Sequence, residues 1–307
     1  ENSKLSLINE NTFSFSEIKE ITIPKNVKEI KDYAFNFCSN LSFIDFEDNS
    51  ELNSLGTYLF CKSQIEIITI PSKIKEIKNF PFIEMNDILM IDFKEDSEFT
   101  TFGDNALRSS FVETLKFPPK LRYFGKNWCN DACEISNILI SPENQYLTYL
   151  DTKHQMVIGR SDIESDFYDN FILVTRKVKY VFIPFYIRII SSCAFADCHH
   201  LKKVEFEENS NLEIICENAF SDIAIKNITI PHNVSHVKKE AFSFCSNLNC
   251  VECLSEIVTL EKSFMNCGGL LISFPNSREI NFIDNNKNIC IFTQPYTKIM
   301  FTLAEKD

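Results

Sequence analysis

The sequence predicts a β-dominated α/β solenoid with one long parallel sheet and short helical turns on the opposite wall. Three observations predict it. A phrase of the form Ile-x-Ile-Pro, then an aliphatic residue, then Ala-Phe-x-x-Cys-x-x-Leu-x-x-Ile-x-Phe recurs along the chain; its copies are regularly spaced; and its apolar residues alternate at period two. Self-similarity at roughly 20 to 50 residues marks units too small to bury an apolar face alone, so they stack and share one core.

The clearest copy runs through Ile21, Ile23, Pro24, Val27, Ile30, Ala34, Phe35, Cys38, Leu41, Ile44 and Phe46. It recurs at Ala194, Phe195, Cys198, Leu201, Val204 and Phe206, and again at Ala241, Phe242, Cys245, Leu248, Val251 and Cys253. With the Phe of each Ala-Phe as a marker, the positions are Phe35, Phe60, Phe82, Leu107 and Cys129, then Phe195, Phe220, Phe242 and Phe264. The steps are 25, 22, 25 and 22, then 66, then 25, 22 and 22. Long and short coils thus alternate. Long coils end in an acidic phrase closed by Ser50, Ser97 or Ser210, whereas short coils end at Pro71, Pro118 or Pro231.

Each pair Ile44/Phe46, Ile68/Ile70, Ile91/Phe93, Leu115/Phe117 and Ile228/Ile230 reads as a short strand with one buried side. Pro after the strand closes it, because Pro cannot donate to a ladder. The Ala-Phe-x-x-Cys stretch is expected to form a helical turn or tight bend on the opposite wall.

These residues resemble the BspA-like leucine-rich repeats, a family of surface proteins of bacteria and protists. The resemblance covers residues 18 to 292 and departs at Pro81-Phe82 and Trp128-Cys129, which stand where Ala-Phe is expected. It implies a leucine-rich-repeat solenoid exposed on a cell surface and used for adhesion or recognition. It implies no catalytic residues.

A single solenoid is expected over residues 1–307, because each coil touches only its neighbours and length sets no limit. Within it, residues 18–140 are N-terminal coils, 141–183 an irregular insertion, 184–277 C-terminal coils and 278–307 a terminal cap. In the insertion, Tyr149-Leu150 and Met156 to Ile158 flank Asp151 to His154 as a hairpin would, and Phe171 to Val174 is a second extended piece. Insertions of this kind are spacers for a lost coil or recognition loops.

A net charge of −12, with 43 acidic and 31 basic residues and no basic cluster, excludes a nucleic-acid footprint. The phrases Glu47-Asp48, Glu95-Asp96 and Glu207-Glu208 read as a solvated rim that blocks edge association, or as a rim for a cation or basic ligand. Of twelve cysteines, Cys38, Cys198, Cys245 and Cys267 sit three residues after a marker, an inward position where Cys acts as a small hydrophobe. Mostly reduced ladder cysteines are expected, with Cys245 and Cys267 as the neighbours able to approach disulfide distance. No signal peptide and no apolar run of spanning length occur. The abrupt start at Glu1 and the sequons at Asn40, Asn227 and Asn233 are in keeping with an exported piece.

No catalytic constellation is present. His232 and His236 are four apart but lie in a non-helical segment, and His199-His200 sits in a turn where exposed polar residues are ordinary. No cofactor or metal is expected. What remains is recognition. Outward strand positions align as columns on the sheet face, and one is apolar over three coils: Phe43, Ile67 and Met90. The neighbouring column carries Asp45 and Asp92, and the insertion offers Tyr149, Phe167 and Tyr168. These are the candidate ligand-binding residues, unless residues 5–15 cover the stripe. The function expected is non-enzymatic surface recognition or adhesion, cell-surface or secreted, toward a protein or glycan on host cells, matrix or microbes. A cytoplasmic protein-interaction scaffold is the alternative.

Overall fold

The computed structural model describes residues 3–162, 164, 166–283, 289–293 and 298–301. It divides into two compact units, Glu1–Gln155 and Met156–Asp307. In both, each regular coil gives a four- or five-residue strand to one wall and a strand of two to five residues to a second wall.

In the first unit the main wall holds Glu20–Ile23 paired with Phe43–Phe46, and a separate ladder of Ile67–Ile70, Met90–Phe93, Thr114–Phe117 and Asn137–Ile140, all parallel. The second wall is built from Leu7–Ile8, Glu29–Ile30 and Ser54–Leu55, then Glu76–Ile77, Thr101–Phe102 and Tyr123–Phe124. In the second unit the main wall pairs Tyr180–Ile183 with Lys203–Phe206, and then Asn227–Ile230, Cys250–Cys253, Leu270–Phe274 and Ile289–Thr293. Its second wall runs in parallel from Asn170–Val174 through Ile189–Ile190, Ile214–Ile215, His236–Val237, Ile257–Glu261 and Glu279–Ile283 to Lys298–Phe301.

Two expectations need correction. The sheet is not one continuous ladder. Pairing is complete where strands follow at 23 residues, as from Ile67 to Met90, but at the 24-residue steps that follow an acidic phrase it is lost or halved. Phe43–Phe46 and Ile67–Ile70 share no ladder bond, nor do Lys203–Phe206 and Asn227–Ile230, and Met90–Phe93 meets Thr114–Phe117 over two residues only. The extra residue shifts the strand out of bonding register. Nor is the opposite wall helical: no helix occurs among the described residues.

Hydrogen bonding in the Ala-Phe turn explains why. The N–H groups of Tyr33, Phe35 and Phe37 donate to Thr57, Leu59 and Cys61 of the next coil at 2.9, 3.2 and 2.8 Å, while those of Ala34, Asn36 and Cys38 close local turns. An α-helix would spend its N–H groups past the first turn on carbonyls four residues back in the same segment. To aim alternate donors at the neighbour, the residues two before and two after each marker take positive φ, for example Tyr33 at 59° and Phe37 at 56°, or Asn218 at 54° and Asp222 at 51°.

The markers form stacked ladders through the core. Phe13, Phe35, Phe60 and Phe82 stack at 5.2, 5.7 and 6.1 Å, and Phe171, Phe195, Phe220, Phe242 and Phe264 at 4.8, 4.7, 5.0 and 5.3 Å. Offset-stacked rings at such separations add to their area burial. Where Leu107 and Cys129 replace Phe, buried Trp128 fills the space, stacked on Phe102 at 5.4 Å. Gly56 permits a close approach in this Gly-poor chain, since a Cβ there would lie 2.4 Å from the Lys31 carbonyl carbon.

Both ladders begin outside the expected coils. Residues 5–15 do not cover the sheet face; Phe13 and Phe15 donate to Ala34 and Asn36 at 2.8 and 2.9 Å and make one more coil. In the insertion, Asn170–Val174 takes a coil's place in the second wall and Phe171 supplies a rung. Its antiparallel partner in that unit is Met156–Gly159. The proposed cap continues the stack where it is described; residues 284–288, 294–297 and 302–307 of it lie outside the described residues.

Candidate recognition surfaces

The apolar column lies on the outer side of the first unit's main wall. Ile44 and Phe46 point inward and are buried, which leaves Phe43 outward and 53% exposed. One coil on, the same alternation leaves Ile67 50% exposed, in direct register with half-buried Met90. The ladder gap between Phe43–Phe46 and Ile67–Ile70 interrupts the column at that point. Asp45 is exposed beside Thr22. Asp92 is instead occupied: its carboxylate accepts Lys116 Nζ at 2.7 Å and its own chain's Phe93 N–H at 2.8 Å.

Tyr149 is likewise committed to the fold. Its hydroxyl accepts the Ile140 N–H at 2.8 Å and donates to the Ile138 carbonyl at 2.9 Å, closing backbone groups of the last strand in that ladder. The ring stacks on His154 at 4.1 Å.

In the second unit, Phe167 and Tyr168 line a groove of about 590 Å³ with Ile158, Tyr186, Arg188 and Asn211. Phe167 is 77% exposed, and Arg160 lies 5.3 Å over the Tyr168 ring. Buried Asp169 anchors the loop, accepting the Ser161 N–H and hydroxyl at 2.9 and 2.7 Å. Arg188 lines the groove, its Nε and Nη2 donating to Glu213 at 3.0 Å and its Nη1 lying 3.5 Å from Asp169. Burial, and then the Glu207 carboxylate, push the Tyr186 phenol above its ordinary value. It stays a neutral donor across the physiological range.

The sequence reading missed an aromatic group that begins on the main wall and reaches this groove at Tyr186. Tyr180 and Phe182 are 62% and 53% exposed, and Phe185 and Tyr186 follow, also exposed. Tyr180 and Phe182 hold the same outward columns as Lys203 and Glu205, so period two alone could have found them. An insertion bounded at residue 183 hides them, because it contains both positions.

The acidic phrases have structural duties. Glu47 accepts the Lys25 N–H and Glu207 the Phe185 N–H, both at 2.9 Å, on the turn after the preceding coil's Pro. Asp96 pairs with the Ser72 hydroxyl. The closing Ser50, Ser97 and Ser210 each accept the N–H two residues on, at 3.3, 3.2 and 3.3 Å. Grooves open along these phrases, one of about 550 Å³ lined by Lys203 to Ser210 and the Asn227 coil.

All twelve cysteines are free thiols. The Cys38, Cys245 and Cys267 thiols donate to the carbonyls of Phe13, Phe220 and Phe242 in the preceding coil at 2.9, 3.1 and 3.0 Å. Cys250 faces outward and Cys253 inward. His232 and His236 are exposed with separate partners, the Leu254 carbonyl and the Ser235 hydroxyl. Among the described residues no helix is long and apolar enough to cross a membrane.

The pattern of the BspA type leucine rich repeat region matches the chain in six copies, over residues 6–136 and 166–289. No curated protein matches. Among solved structures, the pneumococcal vaccine antigen PcpA is similar at TM-score 0.63 and 16% identity, covering 98% of this chain and 85% of that one. A leucine-rich repeat protein from Eubacterium ventriosum is similar at 0.64 and 16%, covering 95% and 71%. A leucine rich cell surface protein from Faecalibacterium prausnitzii is similar at 0.56 and 17%, covering 92% and 84%.

Proposed function

The chain belongs to the BspA type leucine rich repeat family, and from that premise we propose that it is a non-enzymatic recognition protein, displayed on a cell surface or secreted, that binds a protein or glycan of host cells, matrix or other microbes. One observation carries the reading. Two consecutive coils place large apolar side chains, Phe43 and Ile67, at outward strand positions with half their surface in solvent, and Met90 extends the stripe. Such side chains contribute nothing to the core. Strands hold them rigidly, so binding them costs little ordering entropy, and apolar anchors of this kind dominate interface energies. The groove at Phe167 and Tyr168 gives the second unit a separate surface with an aromatic and charged lining.

The test is saturation binding of the purified chain to intact host cells and matrix proteins. Wild type is compared with Phe43→Ser, Ile67→Thr, Met90→Gln combined, and with Phe167→Ser. Saturable binding lost in a still-folded triple variant is the expected result. No saturable binding by wild type, or equal binding by the triple variant, overturns the assignment of this face.

The unbridged thiols favour a second reading, an intracellular interaction scaffold, because disulfides are rare in reducing compartments. Antibody labelling of intact against permeabilised source cells separates the two. Labelling only after permeabilisation selects the scaffold.

A further inference from the structure

The turn wall of the second unit brings together Asp197, His199 and Asp222, whose ligand atoms all lie within 4.8 Å of one another. Stacking does this. Asp197 and Asp222 each follow a marker by two residues, so laying Phe195 on Phe220 at 4.7 Å sets one aspartate over the other. The Asp197 N–H donates to the Ser221 carbonyl at 3.0 Å, and that of Asp222 to Ser243 at 2.8 Å, which fixes both turns. His199 folds back over the pair: its N–H meets the Asp197 carbonyl at 2.9 Å and its Nε2 lies 2.9 Å from Asp222 Oδ2.

Like charges stacked in register are unfavourable without a cation between them. On the core side, buried Arg176 supplies positive charge at Cys198, the residue between Asp197 and His199. On the outer side His199 and Asp222 are exposed, so the face toward solvent is open to an ion and its waters. We propose that this triad binds a divalent transition-metal ion of the manganese, cobalt and zinc class, through one oxygen of each carboxylate and His199 Nε2. Two carboxylates alone would be an ordinary acidic turn. The imidazole nitrogen changes the donor set to one that suits transition metals over calcium or magnesium. Metal–ligand bonds of about 2.0–2.2 Å require donors roughly 3–3.5 Å apart. The His199–Asp222 pair is already at 2.9 Å, and these two exposed side chains can close the remainder onto buried Asp197 by rotamer adjustment. The ion ties the Phe195 coil to the Phe220 coil and keeps water-filled positions toward solvent.

The test uses Mn(II) and Co(II) with the full chain, because twelve thiols would compete for zinc. Mn(II) binding is followed by loss of the free-ion electron paramagnetic resonance signal, and Co(II) by its visible absorption without thiolate charge-transfer bands. Saturable binding near one equivalent is expected, weakened at least about tenfold in Asp222→Asn and in His199→Gln. Both positions are exposed, and an unchanged unfolding midpoint in metal-free buffer shows that the variants fold. Absence of saturable binding of either ion, or equal affinity in both folded variants, overturns the site.

Discussion

Asn266, two residues after the marker Phe264, has φ of 56° and an exposed side chain. The left-handed region costs most L-residues about 1–2 kcal/mol and is tolerated best by Asn, Asp and Gly. Asn and Asp hold many of these turn positions, among them Asn105, Asn127, Asp131, Asp197 and Asp222. Aromatic residues hold others, and there stacking offsets the strain: Tyr33, Tyr58 and Phe80 stand 5.4 and 5.3 Å apart. Asn266→Val should therefore lower stability by about 1–2 kcal/mol and Asn266→Gly by far less, as read from urea unfolding. The thiols make a second residue-scale prediction. Burial pushes Cys198, Cys216 and Cys253 up to about 11 from an ordinary 9.0. A raised folded-state value means that the folded chain holds these protons more tightly than the unfolded one. Their contribution is complete below pH 9 and is lost as pH rises from 9 toward 11. Unfolding midpoints measured at pH 8, 9, 10 and 11 should fall steeply over the last three. At neutral pH a thiol reagent should modify exposed Cys290 first, and buried Cys198 and Cys253 only on unfolding.

At the scale of elements, the strands were legible because period two decides which side chains are inward. Ile44 and Phe46 are buried and Phe43 is exposed for that reason alone. The opposite wall was not. Ala-Phe-x-x-Cys has the spacing of a helical turn, and only the neighbouring coil's carbonyls reveal where alternate N–H groups go. Thr12-Phe13 lacks the Ala of the marker, so the repeat pattern alone does not place residues 5–15 in a coil. The Asp197, His199 and Asp222 triad was hidden for the same reason as the turn geometry: its residues meet only once turn register is known. Tyr149 shows how a surface candidate in sequence becomes a structural group in space. Tyr149→Phe removes the hydroxyl that closes Ile140 N–H and Ile138 C=O, and should cost about 1–3 kcal/mol in chemical unfolding without exposing new apolar surface.

At the scale of the molecule, stability in stacked coils is a sum of coil and nearest-neighbour terms, so an end coil protects everything beneath it. Glu279–Ile283 pairs along five residues with Ile257–Glu261, and Ile289–Thr293 along five with Leu270–Phe274. Ending the chain at Ser277 should uncover the buried edge at Val258, Leu260 and Ile272 and produce aggregation with a lower melting temperature. A soluble truncation with an unchanged melting curve would contradict that. The central claim is that the outer face, unneeded by the core, is a recognition surface. It is tested most directly by the affinity of the folded chain for a host-cell or matrix surface, before and after Phe43, Ile67 and Met90 are made polar together. The account predicts saturable binding that weakens at least about tenfold while the melting curve stays put. Equal affinity in the two folded proteins would contradict it.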